Sequence, residues 1–244
     1  MPRPSHRLLL SAVVAALALA LALVAGEAAA RPNAQLTVYA AASLTDVFPK
    51  IDAAQRYQLV GSNTLAAQIT QGAPADVFAS ANMTLPSQLY SKGLCSKPVV
   101  FTRNTLVVVV PKSNPRNVRS VYDLTGPGLK LVVAGAGVPV GSYTLQILKN
   151  MSLSGSVLKN VVSQETDVRE VLAKVALGEA DAGFVYSTDA KTVADKVNVI
   201  KVPAWAQPKV QYGICVVSRS GNKTDAQSFI NKVLSKAGQK QLLA

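Results

Sequence analysis

The sequence predicts an α/β protein with mostly parallel sheets and helices on both faces. Short apolar segments typical of strands alternate along most of the chain with segments whose apolar residues recur at helical spacing. Several strand segments are continuous apolar runs, such as residues 99–101 and 106–110, which are typical of strands buried on both faces. This regular alternation of strands and helices indicates parallel sheets with helices packed against them.

The first strand–helix unit contains three consecutive alanines and a serine. Residues 36–39 favour a strand, and apolar residues recur at helical spacing after Ser43. Asp46 lies three residues after Ser43, as in a capping box. The small alanines would let a ligand approach the backbone N–H groups at the helix start, which suit an anion. An ordinary turn between a strand and a helix has the same pattern, and Ser43 alone does not distinguish the two interpretations.

A second, shorter strand–helix unit with a serine at its turn follows the first. Pro49 is expected to end or kink the first helix, because it lacks an N–H and clashes with the preceding turn. Residues 56–60 favour a second strand, and Ser62 follows it as Ser43 follows the first. The other elements predicted in this half are strands at 76–79, 99–101 and 106–110, and a helix at 85–89.

The second half of the chain continues the alternation. Residues 111–115 form a cluster of turn-favouring residues, where we place the first crossing between two lobes. Residues 135–142 resemble a dinucleotide-binding fingerprint, but the third glycine, Gly141, does not fit its spacing. We predict instead a loop whose backbone amides face a ligand. The further predicted elements are strands at 131–134, 161, 182–186, 197–202 and 210–217, and helices at 143–149, after a Thr166 cap and after Thr224.

Tyr186 ends one of these strands. The carboxyl ends of strands are where open α/β sheets bind ligands, so the Tyr186 hydroxyl is a candidate ligand group. A core tyrosine whose hydroxyl is satisfied within the protein is the alternative interpretation.

The N-terminus has the pattern of a secretory signal peptide. A basic start precedes an apolar run over 8–25, and alanines at 28–30 offer a cleavage site. A membrane anchor is the alternative, but only Arg31 follows as a basic flank. We therefore assign residues 1–30 as a signal peptide, and expect an exported, soluble, periplasmic or extracytoplasmic protein with no stable membrane insertion.

Histidine and cysteine content limit the chemistry that is available. The only histidine, His6, lies in the segment expected to be removed, which excludes Ser–His and Cys–His nucleophilic pairs and imidazole metal ligands. This argues against an enzyme, although carboxylate chemistry remains open for Asp76, Asp167 and Asp181, which more commonly cap helices or line a surface. Cys95 and Cys215 are the only cysteines. In an oxidising compartment an even number favours a disulfide over two buried thiols.

The formal net charge of the full chain is +12, and removing residues 1–30 takes away Arg3, Arg7 and Glu27, which leaves +11. Lysines are scattered singly, without an arginine-rich run or interleaved aromatic residues, so we expect no nucleic-acid binding. The charge is interpreted as a solvated surface that assists the approach of anions.

Six motifs occur together, and in the same order, in the molybdate-binding proteins of bacterial ABC importers. The similarity runs from about Leu36 almost to the C-terminus, and the ordered set resembles this family more specifically than any one motif. The motifs are Ala40-Ala41-Ala42-Ser43-Leu44-Thr45, Gly61-Ser62-Asn63-Thr64-Leu65-Ala66-Ala67-Gln68-Ile69, Gly72-Ala73-Pro74-Ala75-Asp76-Val77-Phe78-Ala79-Ser80-Ala81, Val138-Pro139-Val140-Gly141, Thr166-Asp167-Val168-Arg169 and Ala182-Gly183-Phe184-Val185-Tyr186.

The resemblance implies the periplasmic binding-protein-like fold, in which two α/β lobes are joined by two hinge crossings with the ligand cleft between them. On this basis lobe one comprises residues 33–110 plus 214–244, and lobe two comprises residues 111–213. The region from Pro49 to Val60 is shorter than in the relatives, which leaves the local geometry of the cleft open.

The resemblance also implies the function and the ligand set. The protein would capture molybdate, and tungstate as well, and deliver it to the permease of an ABC importer, as a monomer without a cofactor. The molybdenum would be bound as its oxyanion, so no residue ligates a metal cation directly. The alternatives are the same fold binding sulfate or another small oxyanion, and an extracytoplasmic enzyme. The implied ligand groups are the side chains of Ser43 and Ser62, the backbone amides of Val140 and Val168, and the Tyr186 hydroxyl.

Overall fold

Two five-stranded sheets form the framework of residues 34–243, which are the residues that the computed structural model describes. The predicted signal peptide lies outside the described residues. The strands are β1 (Thr37–Ala41), β2 (Arg56–Val60), β3 (Val77–Ser80), β4 (Val99–Asn104), β5 (Leu106–Pro111), β6 (Leu131–Ala134), β7 (Val161–Glu165), β8 (Ala182–Tyr186), β9 (Val197–Lys201) and β10 (Val210–Val216).

Helices follow most of the strands, as the alternation in the sequence predicts. They are α1 (Phe48–Ile51), α2 (Ser62–Thr70), α3 (Thr84–Ser91), α4 (Pro139–Asn150), α5 (Ser154–Val157), α6 (Val168–Ala176), α7 (Ser187–Lys191), α8 (Lys223–Leu234) and α9 (Lys236–Leu243). Short 3-10 turns lie at Ala42–Leu44, Val121–Thr125, Leu158–Asn160 and Ala204–Ala206. Within residues 34–243, no helix is both long enough and apolar enough to cross a membrane.

The two sheets have the same design. The first has the strand order β2-β1-β3-β10-β4 and the second has the order β7-β6-β8-β5-β9. In each sheet the first three strands are parallel, whereas β10 and β5 run antiparallel to both of their neighbours. The prediction of mostly parallel sheets is therefore wrong for half of the pairings. A buried apolar run does not report strand direction, and β5 and β10 each enter their sheet directly from the other one.

Lobe one and lobe two hereafter denote the first and second sheets with the helices that pack on them. The chain first crosses from lobe one to lobe two at Thr105, between β4 and β5. It returns between the turn Ala204–Ala206 and β10. The crossing predicted at 111–115 is thus displaced by one strand, because β5 belongs to lobe two. The return strand begins at Val210, before the predicted boundary at 214.

A side chain joins the two crossings. Gln207 Oε1 accepts a hydrogen bond from the Leu106 N–H at 3.1 Å, and Gln207 Nε2 donates to the Leu106 carbonyl at 2.6 Å. The paired crossings therefore lie side by side.

Two local predictions are corrected, and a third is confirmed. Pro49 lies in the first turn of α1, where its missing N–H has no intrahelical role, so it neither ends nor kinks the helix. Strand β4 lies at the sheet edge, with Val99 and Val100 exposed, and is not buried on both faces. Strand β5 is buried along its whole length, as predicted.

Cys95 and Cys215 are free thiols in the structure, so the predicted disulfide is not formed. Both are buried in a small apolar cluster, where cysteine behaves as a small hydrophobic residue. The Cys95 thiol donates to the Pro86 carbonyl at 3.4 Å. Contact with Cys95, together with burial, raises the pKa of the Cys215 thiol.

Candidate functional site

A small cavity between the lobes is lined by all five residues of the predicted ligand set. About 210 Å³ of empty space lies within it, part of which is open to solvent. Most of the other lining residues are small or apolar. The full lining is Ala41, Ala42, Ser43, Gly61, Ser62, Ala81, Val138, Pro139, Val140, Asp167, Val168 and Tyr186.

Ser43 does not cap a helix, so the predicted capping box with Asp46 is wrong. The chain continues from β1 into the 3-10 turn Ala42–Leu44, which has no side-chain cap. Instead, Ser43 Oγ lies 3.0 Å from the Tyr212 hydroxyl oxygen, on strand β10. This bond between residues distant in sequence orients the serine toward the cavity.

Ser62 is the first residue of α2 and is buried. Its Oγ accepts a hydrogen bond from the backbone N–H of Ala81, just beyond β3, at 3.1 Å. The serine hydroxyl keeps its own proton for a second partner. An oxygen atom in the cavity would be such a partner.

Val140 and Val168 lie at the starts of α4 and α6. The first N–H groups of a helix have no partner within it. In α4 the N-cap residue makes no side-chain cap bond and Pro139 has no N–H, so the Val140 amide is the first one available. The predicted loop at this position is therefore already helical, because proline is well accommodated in the first turn.

The sequence predicts Thr166 as the cap of α6, but the cap is Asp167. Its Oδ1 accepts from the N–H groups of Arg169 and Glu170, which leaves the Val168 N–H unused by the cap. Thr166 instead contacts the Glu170 carboxylate through its N–H and its hydroxyl, both at 2.8 Å.

Tyr186 ends β8 with 1% of its surface exposed. No group among residues 34–243 meets hydrogen-bond geometry with its hydroxyl, although the Tyr212 side chain lies close to it. Burial, and in addition the nearby Tyr212 side chain, raises the pKa of Tyr186 well above its ordinary value, so the hydroxyl stays protonated and can donate. A buried hydroxyl without a partner is costly, which argues that this one is reserved for a ligand.

The electrostatics of the cavity come from dipoles. None of its lining residues is a lysine or arginine. The N-termini of α2, α4 and α6 all reach it, and each helix start carries a partial positive charge. Asp167 is the only charged residue of the lining, and it is engaged in capping α6. The arrangement can therefore hold a small anion with neutral donors.

Sequence reasoning did not find Tyr212. This buried residue bonds to Ser43, and its ring centroid lies 5.5 Å from that of Tyr186. It lies in a strand where an apolar run predicts only core packing. Its part in the site arises from a sheet pairing that joins distant segments, for which the sequence carries no local signal.

The three carboxylates considered for enzyme chemistry have structural partners. Asp167 caps α6. Asp76 accepts hydrogen bonds from the Thr37 N–H at 2.8 Å and the Ser220 hydroxyl at 2.6 Å. Asp181 accepts from the Lys130 N–H at 2.8 Å. Asp167 therefore caps a helix as expected, whereas Asp76 is buried and joins neighbouring segments instead of lining a surface.

Comparison with known proteins adds a family to this geometry. The model of a family described as bacterial extracellular solute-binding protein matches residues 36–243. The chain belongs to this family. Its predicted fold, that of the periplasmic binding proteins, is confirmed.

This solute-binding protein is similar along most of its length to proteins whose names include molybdate or molybdenum. It is 39% identical over 217 residues to the molybdate-binding protein ModA of Mycobacterium tuberculosis, which covers 85% of this chain and 82% of that protein. The structure of the substrate-binding domain of a putative molybdenum ABC transporter from Clostridium difficile matches at 31% identity with a TM-score of 0.62, covering 85% of this chain and 95% of that one. The periplasmic molybdate-binding protein of Azotobacter vinelandii matches at 20% identity with a TM-score of 0.74, covering 85% and 96%, and shows the fold alone.

Proposed function

We propose that this solute-binding protein captures molybdate outside the cytoplasm and delivers it to the permease of an ABC importer, with tungstate as a second ligand. The observation that carries the proposal is that residues of both lobes, with five candidate donor groups, line one cavity whose lining contains no lysine or arginine. The identity of the ligand is inferred from the names of the relatives. We further propose that the protein acts as a monomer and without turnover.

The donor set is sufficient for tight binding of a doubly charged oxyanion. A hydrogen bond to a charged group contributes about 1.5–3 kcal/mol. Five such bonds give a gross contribution of about 8–15 kcal/mol, from which the costs of closure and ordering are subtracted. Binding with micromolar to nanomolar affinity needs about 8–12 kcal/mol. Neutral donors can therefore replace a charged partner here.

The chemistry of the donors favours some oxyanions over others. Hydrogen phosphate would bring a proton that needs an acceptor, and burying an unpartnered polar hydrogen is costly. Sulfate carries no proton at neutral pH, so it must be excluded by size. Tungstate closely resembles molybdate in size, so we expect both to bind.

Titration calorimetry of residues 31–244 with molybdate, tungstate, sulfate and phosphate tests the proposal. We expect tight binding of the first two and little or no heat from the others. Tight sulfate binding alone would move the function to another oxyanion on the same fold. The absence of binding heat with all four anions, or turnover of any substrate, would contradict the proposed function.

A further inference from the structure

The side chain of Arg169 lies outside the proposed ligand set but joins the segments that carry it. Arg169 lies at the start of α6 in lobe two. Its Nη2 lies 2.5 Å from Oδ2 of Asp46, which follows Ser43 by three residues in lobe one. Its Nε lies 3.0 Å from Oδ1 of Asp189, which follows Tyr186 by three residues in lobe two. One guanidinium therefore contacts a segment of each lobe directly beside the cavity.

The two contacts of Arg169 differ in burial. The Asp189 side chain is fully buried, whereas the side chain of Asp46 is 51% exposed. Arg169 is the cation beside this buried carboxyl, and its attraction to the ionised form of Asp189 keeps the guanidinium within lobe two. Because the guanidinium is planar and forked, its remaining N–H groups are then held toward lobe one, where Asp46 lies.

A second contact shows how closely the lobes meet at this place. A Cβ atom added to Gly61 of lobe one would lie 2.4 Å from the carbonyl oxygen of Thr166 in lobe two. Thr166 precedes Arg169 by three residues. The ion pair with Asp46 therefore lies beside a close backbone contact between the lobes, and it depends on their being together.

We propose that Arg169 is a positioning residue that latches lobe two to lobe one beside the oxyanion cavity. Asp189 holds the guanidinium, and Asp46 completes the latch when the lobes meet. Arg169 lines a neighbouring wider groove and not the cavity itself, so its effect on the anion passes through the closed arrangement of the lobes. The part of this inference that concerns oxyanion affinity rests on the proposed function.

The variant Asp46→Asn separates the latch from simple electrostatics. Removing a negative charge near an anion site should tighten binding if Coulombic repulsion alone operates. Loss of the latch should instead weaken molybdate binding, by about two- to fivefold for a partly exposed ion pair. We expect the weaker binding to appear as a faster dissociation rate, because the latch must break before the lobes can release the anion.

Two controls complete the design. Asp195→Asn makes the same charge change at an exposed residue of lobe two and should leave affinity and both rates unchanged. The double variant Asp46→Asn, Arg169→Lys should be no weaker than Arg169→Lys alone, since lysine cannot make both contacts at once. The melting temperature of each ligand-free variant reports whether folding is intact.

Small-angle X-ray scattering of the anion-free proteins tests the latch without any ligand. We expect a larger radius of gyration for Asp46→Asn than for the parent and for Asp195→Asn. An unchanged radius of gyration, or equal or tighter molybdate binding, would overturn the latch while leaving the proposed function intact. If the parent binds no molybdate, the proposed function fails, and the scattering result alone decides for or against the latch.

Discussion

The Tyr186 hydroxyl is buried without a partner among the described residues, and this permits a test that separates binding from stability. In Tyr186→Phe the ring remains and only the unpartnered hydroxyl is lost. We expect unchanged or higher stability of the anion-free protein, because no internal hydrogen bond is removed. Molybdate affinity should fall about tenfold, the scale of one hydrogen bond to a charged group. Thermal unfolding and calorimetry on the same sample measure both. Equal molybdate affinity in parent and variant would make Tyr186 a core residue only.

The bond between Ser43 and Tyr212 determines which way the serine can donate. If the Tyr212 hydroxyl donates to Ser43 Oγ, the serine proton is free to point at the anion. Burial raises the pKa of Tyr212, so its hydroxyl remains protonated and able to donate.

This geometry predicts that Tyr212 acts through Ser43. Ser43→Ala should weaken molybdate binding about tenfold, and Tyr212→Phe should weaken it by a smaller factor of about two to five. The double variant should bind as weakly as Ser43→Ala alone, because the tyrosine then has no serine to orient. Ser228→Ala, on the exposed side of α8, is a control expected to bind like the parent. Additive losses in the double variant would contradict the prediction.

At the scale of elements, the site is built from helix starts that meet across the cleft. The N-terminus of α2 belongs to lobe one, and those of α4 and α6 belong to lobe two. Gly61, immediately before α2, permits their close approach, since an added Cβ would lie 2.4 Å from the Thr166 carbonyl oxygen and 2.8 Å from Asn63 Oδ1. A backbone atom on the opposite lobe cannot yield by a side-chain rotation.

We therefore expect Gly61→Ala to hold the lobes apart. Molybdate affinity should fall at least about tenfold, since donors of lobe two would be displaced from an anion held by lobe one. The thermal stability of the anion-free protein should change little, because each lobe can keep its own core. Gly155→Ala, where nothing lies within 4 Å of the added Cβ, is the matched control. Calorimetry that gives parent affinity for Gly61→Ala would show that the lobes need not meet at this contact.

Much of this element structure could be predicted from local pattern, and the rest depends on distant partners. Strand β8 was predicted with its observed bounds, and the strand at 131–134 likewise, because a continuous apolar run marks them. The direction of β5 could not be predicted, since an apolar run is compatible with either direction. The predicted cap at Ser43 was wrong because its hydroxyl bonds to Tyr212, a partner 169 residues away.

The site was predictable in a similar way. Ordered motifs led to the five residues that line the cavity. The latch of Arg169 with Asp46 and Asp189 was not found, because salt bridges between lobes depend on how separate elements pack and leave no periodic pattern in the sequence.

For the whole molecule, Asp189 makes stability depend on pH. Burial raises its pKa to about 7, although the Arg169 guanidinium lowers it and Asp46 raises it further. In the unfolded chain this carboxyl has a pKa of about 3.9. Between these two values the folded protein keeps a proton that the unfolded chain releases. The contribution of Asp189 to stability is therefore present at acid pH and is lost as pH rises through about 7.

Comparison with Asp189→Asn isolates this contribution. We expect the unfolding free energy of the anion-free parent to fall relative to the variant by up to about 1.4 kcal/mol per pH unit between about pH 4 and pH 7. Above about pH 8 the difference should become constant. Urea unfolding at a series of pH values measures it. A difference that does not change with pH would show that Asp189 titrates in the folded protein as it does in the unfolded chain.

The proposed function requires donors from both lobes to hold one oxyanion in the cavity between them. Anomalous diffraction at the molybdenum absorption edge, from crystals of the protein grown with molybdate, tests it most directly. We expect a single strong peak in the cavity, at a position from which the oxygens of the anion can accept hydrogen bonds from the Ser43, Ser62 and Tyr186 hydroxyls and from the Val140 and Val168 amides. A peak elsewhere on the protein, or none at a saturating molybdate concentration, would contradict it.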